Sequence, residues 1–232
     1  MYKTIGVSGA IASGKSTFVK AFISVLEERK VPYYHFDADK KTHDVIKNEH
    51  SYIAKMLGIK KSDFDTPDAE RSFIKSIWEK ILKSDDINTD YQKFMWFKLK
   101  QMLVKEQYEF FTNLQSNSAE RGVYIFDAAF LFSDYWDAIA DMVIKVVADK
   151  EERKVRYIER IKKNTNNKCI NNSILSEQFE RIEHIGEREK RLDRDRNRKI
   201  IFTMNNTNTT GDVPLILEAK AIYSSLFEEK PW

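Results

Sequence analysis

Gly9-Ala-Ile-Ala-Ser-Gly14-Lys15-Ser16-Thr17 fits the pattern G-x-x-x-x-G-K-[ST]. Those residue types at that spacing hold the phosphates of a nucleoside triphosphate. Gly9 and Gly14 let the backbone turn sharply and approach a ligand with no side chain in between. The N–H groups of the loop, through Ala12 and Ser13 to Ser16 and Thr17 at the following helix start, can then point inward at an anion. Lys15 is placed to reach the β- and γ-phosphates, and the Ser16 hydroxyl is a Mg²⁺ ligand. The loop does not name the group that accepts the phosphoryl.

Further carboxylates and cations fall where an open α/β sheet gathers its chemistry, at the ends of strands. Residues 32–36 (Pro-Tyr-Tyr-His-Phe) read as a short aromatic strand running into Asp37-Ala38-Asp39. One of these two carboxylates can hold Mg²⁺-bound water or orient an attacking hydroxyl, and the other can cap the next helix. His35 on that strand reads as a packed or surface histidine. Residues 122–126 (Gly-Val-Tyr-Ile-Phe) run into Asp127, either a carboxylate that supports Mg²⁺ or a turn cap. Arg156 and Arg160 stand at i and i+4 on a charged helix. The polar segment 164–173 follows it, either a lid over the nucleotide or a tolerated surface insertion.

The elements that must position these groups alternate. Residues 3–8 are apolar enough for a buried strand, and Phe18, Ala21, Phe22 and Val25 then recur at helical spacing. Residues 142–147 and 199–203 read as further strands, and 213–227 as a closing helix. Between the second and third strands, residues 40–120 read as helical. Thr66-Pro67 signals one helix start, with Phe73, Ile74, Ile77, Trp78 and Ile81 as its apolar face. A second helix reads over 91–114, its aromatics Phe94, Phe97, Phe110 and Phe111 taken as packing. The expectation is a three-layer α/β sandwich of P-loop NTPase type around a parallel five-stranded sheet. Residues 1–39 and 121–232 form its core with a lid at about 160–190, and 40–120 form an inserted helical acceptor-binding lobe.

Composition narrows the setting. The 232 residues suit one domain with an insertion. The net charge of +3 does not argue for nucleic acid. Residues 151–200 alone carry 15 Lys/Arg against 10 Asp/Glu, which suits an anionic ligand or a solvated charged helix equally. Cys169 is the single cysteine, so no intrachain disulfide can form, which fits a reducing, cytoplasmic setting. No apolar run approaches the ~20 residues of a membrane span. A monomer or weak homo-oligomer is expected.

Four segments in order resemble the dephospho-CoA kinases of the P-loop kinase superfamily. They are the glycine loop from Gly9 to Thr17, the strand end Phe36-Asp37-Ala38-Asp39, Arg71 with Phe73, Ile77 and Trp78, and Asp127-Ala-Ala-Phe-Leu-Phe132. Residues 200–206, ending in Asn205-Asn206, are similar to the family's final strand and asparagine turn. The chain departs from the pattern at Ala129 and Ser133, where the family carries proline and glutamate. The helical His-Pro pair is absent near Phe97-Lys98. The late-helix glutamine is not evident around His184-Ile-Gly186.

The resemblance implies transfer of the ATP γ-phosphoryl, with Mg²⁺, to the ribose 3′-hydroxyl of dephospho-CoA. It implies Asp39 as the residue that accepts or orients the hydroxyl proton and Lys15 as a neutraliser of charge on the transferred group. Arg160 would steady the transition state, Asn206 would lie by the adenine, and Arg71 with the aromatic lobe would bind the acceptor. A nucleoside or nucleotide kinase of the same architecture fits the D-A-D pair as well. A non-catalytic NTP-binding regulator would bind without turnover.

Overall fold

The computed structural model describes residues 1–59, 66–81, 85–128, 138–164, 171–193, 200–206 and 213–227. It divides into two units: Met1–Phe36 with Phe110–Trp232, and Asp37–Glu109. Residues 129–137, Cys169 with most of the Asn-rich segment, and the arginine run 194–198 lie outside the described residues.

The first unit is built on a five-stranded parallel sheet. Its strands are β1 (Tyr2–Ser8), β2 (Tyr33–Asp37), β3 (Gly122–Asp127), β4 (Met142–Val147) and β5 (Ile200–Asn205), in the spatial order β2-β3-β1-β4-β5. β1 lies between β3 and β4, with Ile5 beside Ile125 and Met142. Every residue of β3 is buried, and no polar alternation interrupts its run. That is the signature of a strand covered on both faces. The order also puts β1, and the loop that follows it, at the middle of the sheet.

Alternate strand positions feed two layers. Ile5, Val7, Val123, Ile125, Ile144 and Val146 point to one face, against α1 (Lys15–Glu28) and α8 (Val213–Phe227). Phe18, Phe22, Val25 and Leu26 of α1 meet Leu215, Ala219, Ile222 and Tyr223 of α8 there. Tyr2, Tyr34 and Tyr124 serve the opposite face. Tyr34 stacks on Tyr124 with ring centroids 5.2 Å apart, and Tyr2 stacks on Phe111 at 5.4 Å. Phe110 and Phe111 belong to the end of the long helix α5 (Asp85–Ser116). The two helices after β4 are α6 (Lys150–Asn164) and α7 (Asn172–Asp193).

The second unit is helical. α2 (Ala38–Asn48) starts at Asp37, whose carboxylate accepts the Lys40 N–H at 3.1 Å. So of the two strand-end carboxylates, Asp37 is the one that caps. α3 (His50–Leu57) follows at once and stops at Gly58, a left-handed residue with φ of 60°. α4 (Pro67–Ile81) and most of α5 complete the unit around Ile53, Leu57, Phe73, Ile77, Leu99 and Leu103. Lys41 pairs with Glu106 at 2.6 Å and Lys98 with Glu49 at 2.6 Å, which ties α5 to α2 and to the α2–α3 junction.

Three expectations need correction. α5 begins at Asp85, six residues before the expected start. Its opening stretch is too polar for apolar periodicity to betray a helix. Trp78 is 52 % exposed and Phe97 56 % exposed, so neither packs in the apolar face it was assigned to. The last strand extends to Asn205, so the turn begins at Asn206. Among the described residues no helix is long and apolar enough to cross a membrane.

Phe22 is fully buried between the sheet and α8, whereas Leu217 on α8 is 64 % exposed. Phe22→Ala is expected to cost about 3–5 kcal/mol. Leu217→Ala should stay within about 0.5 kcal/mol of the parent. Denaturant unfolding of the two variants checks both values.

Candidate active site

The glycine loop leaves β1 at Ser8 and enters α1 at Lys15. Its shape depends on residues that can do without a side chain or bear a strained backbone. A Cβ on Gly9 would stand 2.6 Å from the Val146 carbonyl oxygen and 2.5 Å from Ser13 Oγ. Gly14 has φ of 93°, and a Cβ there would stand 1.9 Å from Asn206 Nδ2. Ala12 is left-handed as well, with φ of 58°. Such a backbone costs free energy and persists only where the surroundings hold it.

The surroundings do hold it. Ser13 N–H donates to Ala10 O at 3.1 Å, closing the loop on itself. Asn206 Nδ2 donates to Ser13 O at 2.9 Å, and Asn206 N–H donates to Val147 O at 2.7 Å. The residue after β5 therefore pins the loop to the end of β4. Gly14 is the N-cap of α1 and offers no side chain to its first turn. That leaves the first N–H groups of α1 to an anion.

Lys15 does not project into solvent. It is 9 % exposed, and its ammonium meets Asp127 Oδ1 at 2.6 Å. Asp127 is 2 % exposed, and its other oxygen, Oδ2, is 2.9 Å from His35 Nε2. Burial pushes the Asp127 carboxyl up. The His35 hydrogen bond and the Lys15 charge pull it down, and the balance falls below the ordinary carboxylate value. Asp127 thus stays ionised although buried, as a pair desolvated together can. Ser16 and Thr17, beside Lys15, are exposed.

Arg156 adds a second cation at the loop. It donates to Asn206 O at 2.8 Å and pairs with Glu152. Its Nη1 is buried and has no hydrogen-bond partner among the described residues. That nitrogen lies 4.0 Å from where a Cβ on Gly14 would stand. A half-buried cation with one buried, unanswered donor beside a phosphate loop is suited to an anionic ligand.

The structure thus brings together Gly9, Ala12, Ser13, Gly14, Lys15, Asp127 and Asn206 of the sequence-derived set. Arg160 lies on α6 one turn beyond Arg156 and is exposed. Asp39 and Arg71 belong to the helical unit. Asp39 is exposed in the first turn of α2. Arg71 on α4 is exposed and pairs with Asp68, which raises its pKa. Among the described residues no three metal-ligating side chains cluster.

His35, which the sequence places as a packed or surface histidine, contacts Asp127, and neither that contact nor the loop contact of Arg156 could be anticipated. A lone histidine on an aromatic strand carries no pattern. Arg156 stands among other charges on a helix whose solvated face looks the same.

No protein-family model matches the sequence. The chain is 32 % identical over 168 residues to a dephospho-CoA kinase of Fusobacterium nucleatum subsp. nucleatum, a match spanning 69 % of this chain and 74 % of that one. Its fold is similar to the crystal structure of TT1252 from Thermus thermophilus. The TM-score is 0.63 at 15 % identity, and the match covers 98 % of each chain. The sheet order and the loop after the central strand agree with a P-loop kinase architecture. The identity and coverage of the curated relative show that this chain is a kinase and belongs to the dephospho-CoA kinase family.

Proposed function

We propose that the chain transfers the γ-phosphoryl of ATP to the ribose 3′-hydroxyl of dephospho-CoA, giving coenzyme A and ADP. The observation that carries this reading is the 32 % identity to a dephospho-CoA kinase, over a segment long enough to take in most of the chain. The loop geometry supports it. N–H groups at the start of α1 that no N-cap side chain claims, Lys15 and Arg156 gather positive potential at one place, as phosphoryl transfer requires.

The donor set fits Mg²⁺, a hard cation that takes oxygen ligands and keeps several waters. The Ser16 hydroxyl and the Asp127 carboxylate would hold it, directly or through water, with phosphate oxygens completing the shell. Bound there, the ion supplies charge neutralisation on the transferring phosphoryl group. Lys15 exchanges its contact with Asp127 for the β- and γ-phosphates. Asp127 then keeps His35 as a partner, so its buried charge is not stranded. Asp39 orients the acceptor hydroxyl and takes its proton. Arg160 steadies the in-line transition state from α6, and Asn206 lies by the adenine. Arg71 and the aromatic helical unit take the acceptor. Positioning and electrostatics carry nearly all of such catalysis.

ADP release with MgATP should occur with dephospho-CoA and not with adenosine, nucleoside monophosphates or no acceptor. Turnover with a nucleoside or nucleotide instead would leave the loop chemistry standing and move the acceptor. ATP binding without turnover on any of them would mark a regulator.

Lys15→Ala is expected to lower kcat by roughly 10²–10³ through loss of a transition-state charge. Asp39→Asn should bind ATP normally in calorimetry while kcat drops about 10²-fold or more. Near-normal turnover of that variant would remove Asp39 from its role.

A further inference from the structure

Arg153 and Glu183 take no part in the chemistry proposed above, yet they form a deeply buried ion pair, 5 % and 6 % exposed. Arg153 donates from both terminal nitrogens to both oxygens of Glu183, at 2.5 and 2.6 Å. Its Nε donates to Ala148 O, just past β4, at 3.0 Å. Nη1 also reaches Ile11 O in the phosphate loop at 3.4 Å. The guanidinium lies over the Phe179 ring, 5.7 Å from its centroid. Around it, Lys150 and Lys154 of α6 both pair with Glu180 of α7. One cation therefore touches the loop, the end of β4 and α7 while standing on α6.

Stability alone is a weak reason for such a pair. Two desolvated charges recover little beyond their desolvation cost, and well-packed apolar residues of similar volume hold two helices as firmly. An apolar pair cannot donate to a carbonyl. A phosphate loop turns its N–H groups toward the ligand, so its carbonyls must find donors elsewhere. Ser13 O has Asn206 and Ile11 O has Arg153. Glu183 fixes the guanidinium plane by a two-point contact, which sets where its remaining donor capacity points.

We infer that Arg153 is a positioning residue for the phosphate loop, aligned by Glu183, so that nucleotide affinity depends on the seating of α7 against α6. The inference rests on the reading of the loop as an ATP site. It makes the helix pair that carries Arg156 and Arg160 part of the loop's support.

The test is calorimetric binding of ADP and ATP, thermal unfolding and steady-state kinetics on three full-length proteins. In the double variant Arg153→Met/Glu183→Leu no charge is left unpaired, so the fold and melting temperature should be retained. Nucleotide affinity should fall about tenfold. Arg153→Lys keeps a charge opposite Glu183 but cannot serve Glu183, Ala148 O and Ile11 O together, and the same loss is expected. In both variants the KM for ATP rises while kcat at saturation holds within about twofold, because the reacting groups are untouched. Wild-type affinity in either folded variant overturns the positioning role. If the double variant does not fold, Arg153→Lys alone decides. A wild-type protein that binds neither nucleotide overturns the ATP reading itself, a result distinct from failure of the inference.

Discussion

A buried lysine held by a buried aspartate organises the catalytic half of this chain. Lys15 and Asp127 sit 2.6 Å apart, both nearly out of solvent. Neither charge could be kept there alone, because desolvating a single ion costs several kcal/mol in a protein interior. The two groups reach each other because β1 and β3 are neighbours in register, Val7 beside Asp127, and because the loop after β1 returns over the sheet to start α1. Parallel pairing, the glycine loop and the strand-end carboxylate are therefore one construction. Each part meets a requirement set by the other two.

His35 gives that construction a resting place. It occupies the second oxygen of Asp127, so the carboxylate can give up the lysine to a ligand and stay paired. The loop is held from outside in a comparable way, with side chains from α6 and from the end of β5 donating to its carbonyls. A strained loop of this kind is specified by its supports as much as by its own glycines.

Much of this was legible in the sequence, for identifiable reasons. The glycine loop declares itself because sterics at Gly9 and Gly14 admit no substitute. The strands over residues 122–126 and 142–147 declare themselves because a sheet covered on both faces leaves largely apolar runs, interrupted in the second only by Lys145. What stayed hidden involves partners far apart in the chain. Arg153 and Glu183 read as two more charges in a charge-rich stretch, and only folding shows that they face each other out of solvent. Trp78 and Phe97 carry the right periodicity for a core yet lie exposed, since periodicity gives the face of a helix and not its partner. The polar opening of α5 escaped for the converse reason.

Asn206 has a consequence for how the protein comes into being. Its bond to Ser13 spans 193 residues. During synthesis the glycine motif emerges before β5 and waits for it before its backbone is pinned. Local segments close quickly, and contacts this distant are costly to close and form late. A nascent chain would thus carry the phosphate motif through the synthesis of those 193 residues without the finished pocket. Competence to hold a nucleotide would arrive together with the β5 edge of the sheet.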